Sequence, residues 1–288
     1  MKILQIRPLT PSTMTATFTG AITDPSIYAA TTAYAIGDKC VFGNNKYQCI
    51  LAATGKQPDS NATYWQYIGM INKYAMIDEY LNTQSLAAGD ITITFDTAGE
   101  NGIYLTNMLA TTLTVTQVAN GNTVMSKTVQ LVNTVSDFYT YNFDPIDYRA
   151  DYFVPLALYY NSTVTITLNH TNAKIGGIFI GKISDVGSSL WDTEVGIIDY
   201  SKKTTDSFGN TYLKQGYFKK RLRLNYAVQT AKIDYLMRVL AQVRGTAVVF
   251  IASDMYDSLM AYGFFTDITQ TYNNPTMSFG NISIEGLI

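Results

Sequence analysis

Residues able to do chemistry are few in this chain. Its one histidine, His170, stands in Asn169-His170-Thr171, and its glutamates are Glu79, Glu100, Glu194 and Glu285. A histidine-based zinc site needs several imidazoles, and a Ser–His–Asp relay needs its imidazole beside a nucleophile. His170 instead follows the strand-like run Val164–Leu168 and reads as a polar strand end. Asp144, Asp147 and Asp151 cluster around Tyr148 and Arg149. Two carboxylates can hydrolyse a glycosidic bond, but no glutamate stands at a paired spacing here. Neither a P-loop nor a dinucleotide fingerprint occurs. The expectation is a non-enzyme with no catalytic residue, metal or cofactor.

The two cysteines lie in the segment Tyr34–Cys49. Gly37-Asp38 reads as a turn, Cys40–Phe42 as a strand, and Gly43–Lys46 as a hairpin turn leading into Tyr47–Leu51. With Asn44-Asn45 as the two turn residues, Phe42 faces Tyr47 and Cys40 faces Cys49. That would be a non-hydrogen-bonded pair, the closer kind. The thiols would then lie within disulfide reach, with a reducing cytoplasm holding them apart until release. Equally, they read as two small hydrophobes beside an aromatic pair. A basic stretch, Lys214 and Lys219-Lys220-Arg221-Leu222-Arg223, suits either an acidic neighbour or a solvated strand face. On a strand Arg221 and Arg223 share one face, and Leu222 and Leu224 the other.

These residues must be positioned by a chain of unusual composition. Of 288 residues, only 15% are charged and 47% are hydrophobic, with 22 Tyr and 13 Phe. Such aromatic content excludes disorder, and a net charge of −2 argues against a nucleic-acid binder. Few charges suit a β-rich chain or one covered by other chains. The opening Met1–Pro8 is cut by Gln5, Arg7 and Pro8, so no secretory signal is expected. The apolar runs near Ile175–Ile183 and Thr246–Ala252 are too short to cross a membrane as helices.

Strand signals dominate. Met14–Thr19, Ile91–Phe95, Leu113–Thr116 and Val164–Leu168 alternate apolar residues with Thr, and Asn120-Gly121 marks a hairpin. Residues 71–190 therefore read as a β-sandwich or jelly roll, preceded by N-terminal strands in 1–21 and a small module over 22–70. In 191–288, the pattern Ile233, Leu236, Met237, Leu240, Val243 predicts one helix over Thr230–Arg244. Thr230 would be its N-cap and Gly245 its C′ residue. Strand candidates Arg221–Tyr226, Ala247–Ala252, Gly263–Thr269 and Ser278–Leu287 flank it. The fold class is mainly β with a small α+β part. Val248, Phe250, Phe264 and Phe265 have few charges around them and read as surplus apolar surface for assembly.

The module resembles the small chitin-binding type of carbohydrate-binding module of bacterial chitinases. The likeness rests on Tyr28, Tyr34, Gly37-Asp38, Cys40-Val41, Tyr47, Thr54-Gly55, Pro58 and Tyr64-Trp65. It implies a three-stranded fold with Tyr28, Tyr34 and Trp65 as rings that stack on sugar. In so short a domain the same aromatics also serve as core. Beyond the module, Asn72-Lys73-Tyr74-Ala75-Met76-Ile77-Asp78 with Asn82-Thr83-Gln84-Ser85 is similar to the segment following such a module in tail-associated structural proteins of tailed bacteriophages. Lys73, Tyr74 and Ile77 replace the usual Arg, Trp and Phe. Arg7–Thr10, Ile198–Lys203, Phe208–Thr211, Tyr262–Phe265 and Ile282–Ile288 are compatible with the same layout.

That resemblance implies a virion tail or tail-tip component, made in the host cytoplasm. Its partners would be other phage tail proteins and copies of itself in a ring, with neither nucleic acid nor membrane insertion. The alternative is a receptor-binding lectin whose module grips host surface glycan.

Overall fold

A computed structural model describes residues 1–20, 22–78, 80–132, 139 and 146–287. Strand makes up 53% of it and helix 9%, so the class is β-rich α+β. A ten-stranded antiparallel sheet is its largest element. Its order is Tyr152–Pro155, Gly102–Thr106, Gly177–Asp185, Lys2–Arg7, Val248–Ile251, Met260–Thr271, Met277–Gly286, Phe218–Gln229 and Ser188–Ser189. The tenth strand, Glu194–Asp199, also pairs with Phe218–Gln229. A five-stranded sheet runs Asn122–Gln130, Thr112–Ala119, Tyr160–Asn169, Ile91–Ala98 and Met14–Phe18.

The Thr-alternating runs form the five-stranded sheet because their apolar residues all point one way. Ile91, Ile93, Phe95, Leu113, Val115, Val164, Ile166 and Leu168 meet Ile103, Leu105, Val154, Ile178 and Ile180 of the larger sheet in one core. Each such side chain taken out of water contributes about 1.5–3 kcal/mol. The hairpin at Asn120-Gly121 forms where expected, with Ala119 opposite Asn122. Both turn residues are left-handed, at φ 51° and 77°, as the favoured hairpin turn requires.

Over the other half of the large sheet lies the helix, α1 (Ile233–Val243). Ile233, Leu236, Val239, Leu240 and Val243 are buried against Leu222, Leu224, Tyr226, Phe250, Ile282 and Ile284. Met237, expected in this stripe, is exposed, and Val239 takes its place. Thr230 is not the N-cap: it opens a 3-10 turn, Thr230–Lys232, and its Oγ1 donates to the Asn274 carbonyl at 2.7 Å. Gly245 does take the left-handed conformation after the helix, φ 68°.

The opposite face of the large sheet holds Leu4, Tyr104, Phe153, Phe179, Val249, Ile251 and Met260. Alternation along Lys2–Arg7 thus sends Ile3 to the helix side and Leu4 to this cluster. The large sheet also runs unbroken past the boundary read at 190/191. Lys2–Arg7 pairs with Gly177–Asp185 on one edge and with Val248–Ile251 on the other.

Candidate functional site

The small module has a three-stranded sheet, Lys39–Phe42, Asn45–Cys49 and Trp65–Met70, with a short pair Ala33–Tyr34 and Ala53–Thr54 beside it. Its core is Tyr34, Cys40, Tyr47, Cys49 and Trp65, with Tyr28, Phe42 and Tyr64 packed on the outside. Trp65 is 3% exposed and Tyr34 7%. Their rings meet edge to face at 5.0 Å, and Trp65 Nε1 donates to the Lys56 carbonyl at 2.8 Å. Tyr34 Oη accepts from the Ala29 N–H at 2.9 Å. Two of the three rings expected to stack on sugar are therefore core. Tyr28 is half-buried, stacked on Tyr34 at 5.6 Å. The aromatic rings open to solvent lie elsewhere, at Tyr67 and Tyr80, 6.1 Å apart.

The cysteine register differs from expectation. Phe42 faces Asn45 and Cys40 faces Tyr47, so the turn is Gly43-Asn44. Gly43 has φ 63°, and a two-residue turn with glycine in its first central place fixes that register. Cys49 faces Trp65 across the other strand pair. The two sulfurs share the core face as diagonal neighbours instead of a direct pair. Both thiols are free and buried. Burial, reinforced by Cys49, pushes the Cys40 thiol up to about 11.

The module joins the sandwich through a joint built from the Asn72–Asp78 segment. Asn72 is buried; its backbone N–H donates to the Asp24 carboxylate, where the chain enters the module. Ala75 and Met76 are fully buried, and the Met76 N–H donates to Ser85 Oγ at 3.0 Å. Asp78 accepts from Thr83 Oγ1 and from the Tyr80 N–H. Burial nonetheless leaves its carboxyl above the usual range, outweighing those bonds. No spacing rule marks a lone Asn or Asp as a clamp, and the segment's resemblance was the only signal available for it.

Within the acidic run, Asp147 is exposed and Asp151 is built into the fold. Asp144 lies outside the described residues. Asp151 is buried, accepts from Thr106 Oγ1 at 2.6 Å and from the Asn107 N–H at 3.1 Å, and pairs with Lys220. Beside it a recess of about 260 Å³ is lined by Tyr104, Tyr217, Phe218, Tyr262 and Leu287. Burial and the neighbouring Asp151 carboxylate push the Tyr104 hydroxyl well above its ordinary range. His170 sits in a turn: its N–H donates to Asp90 Oδ1 and its Nδ1 accepts from the Asn172 N–H.

Three of the five basic residues of the stretch meet acids of the same chain. Lys219 pairs with Glu285 at 3.0 Å, Lys220 with Asp151, and Arg223 with Glu194 at 3.2 Å. Leu222 and Leu224 are buried on the other face, as the strand alternation requires.

The residues expected to form an assembly surface are placed differently. Val248 and Phe250 are buried beneath α1, so they are core and not interface. Phe265 is partly buried against the same cluster, and Phe264 is half-buried. They read as surplus because their strand, Val248–Ile251, is buried on both faces, a pattern that composition cannot tell from a subunit contact.

Exposed apolar surface lies instead on a long hairpin arm. Glu194–Asp199 pairs with Phe218–Gln229, and the same hairpin continues as Lys202–Thr205 paired with Thr211–Lys214. Every residue of the outer pair is exposed. Phe208 at the tip is 90% exposed and Leu213 78%. Ile197, Tyr200, Tyr212, Tyr217 and Phe218 are also exposed. The sequence carries a signal for this arm, a turn-forming Asp206-Ser207-Phe208-Gly209-Asn210 between two short alternating runs.

Comparison with protein-family models, with curated proteins and with solved structures finds no match for the chain.

Proposed function

We propose that this chain is a structural component of a tailed-bacteriophage virion, placed in the tail or at its tip, where it joins copies of itself and other tail proteins. The observation that carries the reading is the arm over residues 194–218. It packs no core of its own and holds Ile197, Phe208, Tyr212, Leu213 and Phe218 in solvent. Grouped apolar side chains held in solvent are the mark of a surface that another chain covers on assembly. The resemblance of Asn72–Asp78 to tail-associated proteins supports the same reading, as does the order of module, sandwich and C-terminal part.

In this reading the module is a displayed decoration held at a fixed angle by the Asn72 joint. Burial of Tyr34 and Trp65 favours display over a sugar-stacking platform built from those rings. Electron microscopy of particles labelled with an antibody to this chain tests the proposal. Label on the tail or its tip is the expected result, and label confined to unassembled material would overturn it. Retention of the purified chain on a cell-wall glycan column would favour the lectin reading instead.

A further inference from the structure

We infer that the tip of the arm on one copy docks into a recess at the base of the arm on a second copy of this chain, a head-to-tail contact. The inference rests on the reading of the chain as an assembly component and names the surfaces involved.

The tip is a built feature. Asp206 accepts from the N–H groups of Phe208 at 2.9 Å and Asn210 at 2.8 Å, and from Asn210 Nδ2 at 2.9 Å. The Asp206 N–H closes the loop onto the Asn210 carbonyl at 2.9 Å, and Gly209 takes φ 87°. One carboxylate thus locks a turn whose only large side chain, Phe208, points into solvent. An aromatic anchor presented on a rigid turn loses little freedom on docking.

The recess lies at the other end of the same arm. It measures about 630 Å³ and is lined chiefly by Leu190, Trp191, Asp192, Met255, Tyr256 and Leu259. That volume is within the range of sites that enclose a ring. Trp191 on its wall is 91% exposed. The wall is fixed by the Leu190 N–H, which donates to the Asn225 carbonyl at 2.8 Å, and by Asn225 Nδ2, which donates to the Asp192 carbonyl at 2.7 Å.

Two observations select a second copy as the occupant. The first is reach. The ladder runs from Glu194/Arg223 at the base to Thr205/Thr211 near the tip, which is about 35 Å at about 3.3 Å per residue. Phe208 therefore cannot fill the recess at its own base, so a Phe208 seated there comes from another copy. The second is charge. Lys202 faces Lys214 across the arm, with Lys203 beside them, and none makes an ion pair among the described residues. Like charges placed opposite one another destabilise a hairpin unless an anion joins them. Around the recess stand Asp192, Asp254 and Glu194, the first without an ion-pair partner among the described residues. A knob at one end and a hole at the other make a heterologous contact, which closes into a ring or continues as a filament.

Sedimentation velocity on the purified full chain, over a range of concentrations, tests this. Self-association is expected, and Phe208→Asp should weaken it at least about tenfold, as loss of a buried aromatic anchor does. At concentrations where the wild-type chain is monomeric, the unfolding midpoint should not move, because Phe208 is then in solvent. Lys202→Glu combined with Lys214→Glu should weaken association as well. Phe208→Cys combined with Met255→Cys should link copies to one another on mild oxidation, well beyond either single variant. A monomeric wild-type chain, association indifferent to Phe208→Asp, or no inter-copy link would each overturn the inference. These results concern the purified chain alone. Recovery in particles with an inert arm would leave the virion reading standing, and an active arm with no recovery in particles would sink that reading only.

Discussion

Asn72 grips Leu86 with both ends of its side-chain amide: Nδ2 donates to the Leu86 carbonyl at 2.8 Å, and Oδ1 accepts the Leu86 N–H at 2.8 Å. Its own N–H meanwhile holds Asp24. One buried residue therefore ties both ends of the module to the sandwich, by its side chain at Leu86 and by its backbone N–H at Asp24. Asn72→Ala should lower stability by about 1–3 kcal/mol, since two half-buried backbone groups of Leu86 lose their partners together. The check is the denaturant midpoint, with limited proteolysis at the joint. A midpoint within error of wild type would mean that the joint is held elsewhere.

Trp65 and Trp191 are the only tryptophans, one buried in the module and one in solvent. A soluble quencher should therefore reach Trp191 and spare Trp65 in the folded chain. Trp65→Ala should unfold the module at a cost of about 3–5 kcal/mol, seen as new protease cleavage within 22–70 while the sandwich stays intact. Tyr67→Ala, at a half-open position, should leave the module folded. If Trp65→Ala kept the module protease-resistant and abolished glycan retention, the ring would be a sugar platform after all.

The Cys40 thiol is raised from 9.0 to about 11 by burial and by Cys49. A raised acid favours the folded state while it keeps its proton. Its contribution is thus complete below pH 9 and is lost as pH rises through about 11. With reductant present, protease resistance of the module should fall across that window, and Cys40→Ala should flatten the fall. Alkylation at neutral pH should leave both cysteines unmodified until the chain is unfolded. Rapid labelling of Cys40 in the native chain would contradict its burial.

Phe250 is core and Phe208 is surface, and the two should respond oppositely to truncation. Phe250→Ala should cost about 3–5 kcal/mol of stability through the cavity left beneath α1. Phe208→Ala should leave thermal unfolding of the monomeric chain, measured at low concentration, unchanged. Calorimetry on the two variants decides whether the C-terminal part buries Phe250 within one chain.

What was legible followed from local rules. Asn120-Gly121 was readable because only residues tolerant of left-handed backbone close a two-residue hairpin. The helix was readable from its apolar period, although its start was not. Thr230 hydrogen-bonds to Asn274 and Ser278, far along the chain, instead of capping the next turn. The cysteine register slipped because Gly43 and Asn44 both suit a turn and nothing local ranks them. Val248 and Phe250 were misplaced for a different reason: a strand buried on both faces reads the same whether α1 or another subunit covers it. The Asn72 clamp and the arm depend on contacts between distant segments, which no window of sequence displays.

Protein composition of purified tailed particles tests the central claim most directly. Mass spectrometry of particles banded on a density gradient and washed in high salt should recover this chain in several copies per particle, in proportion to other tail proteins. Its absence from washed particles, with the chain left in the soluble fraction, would contradict the account.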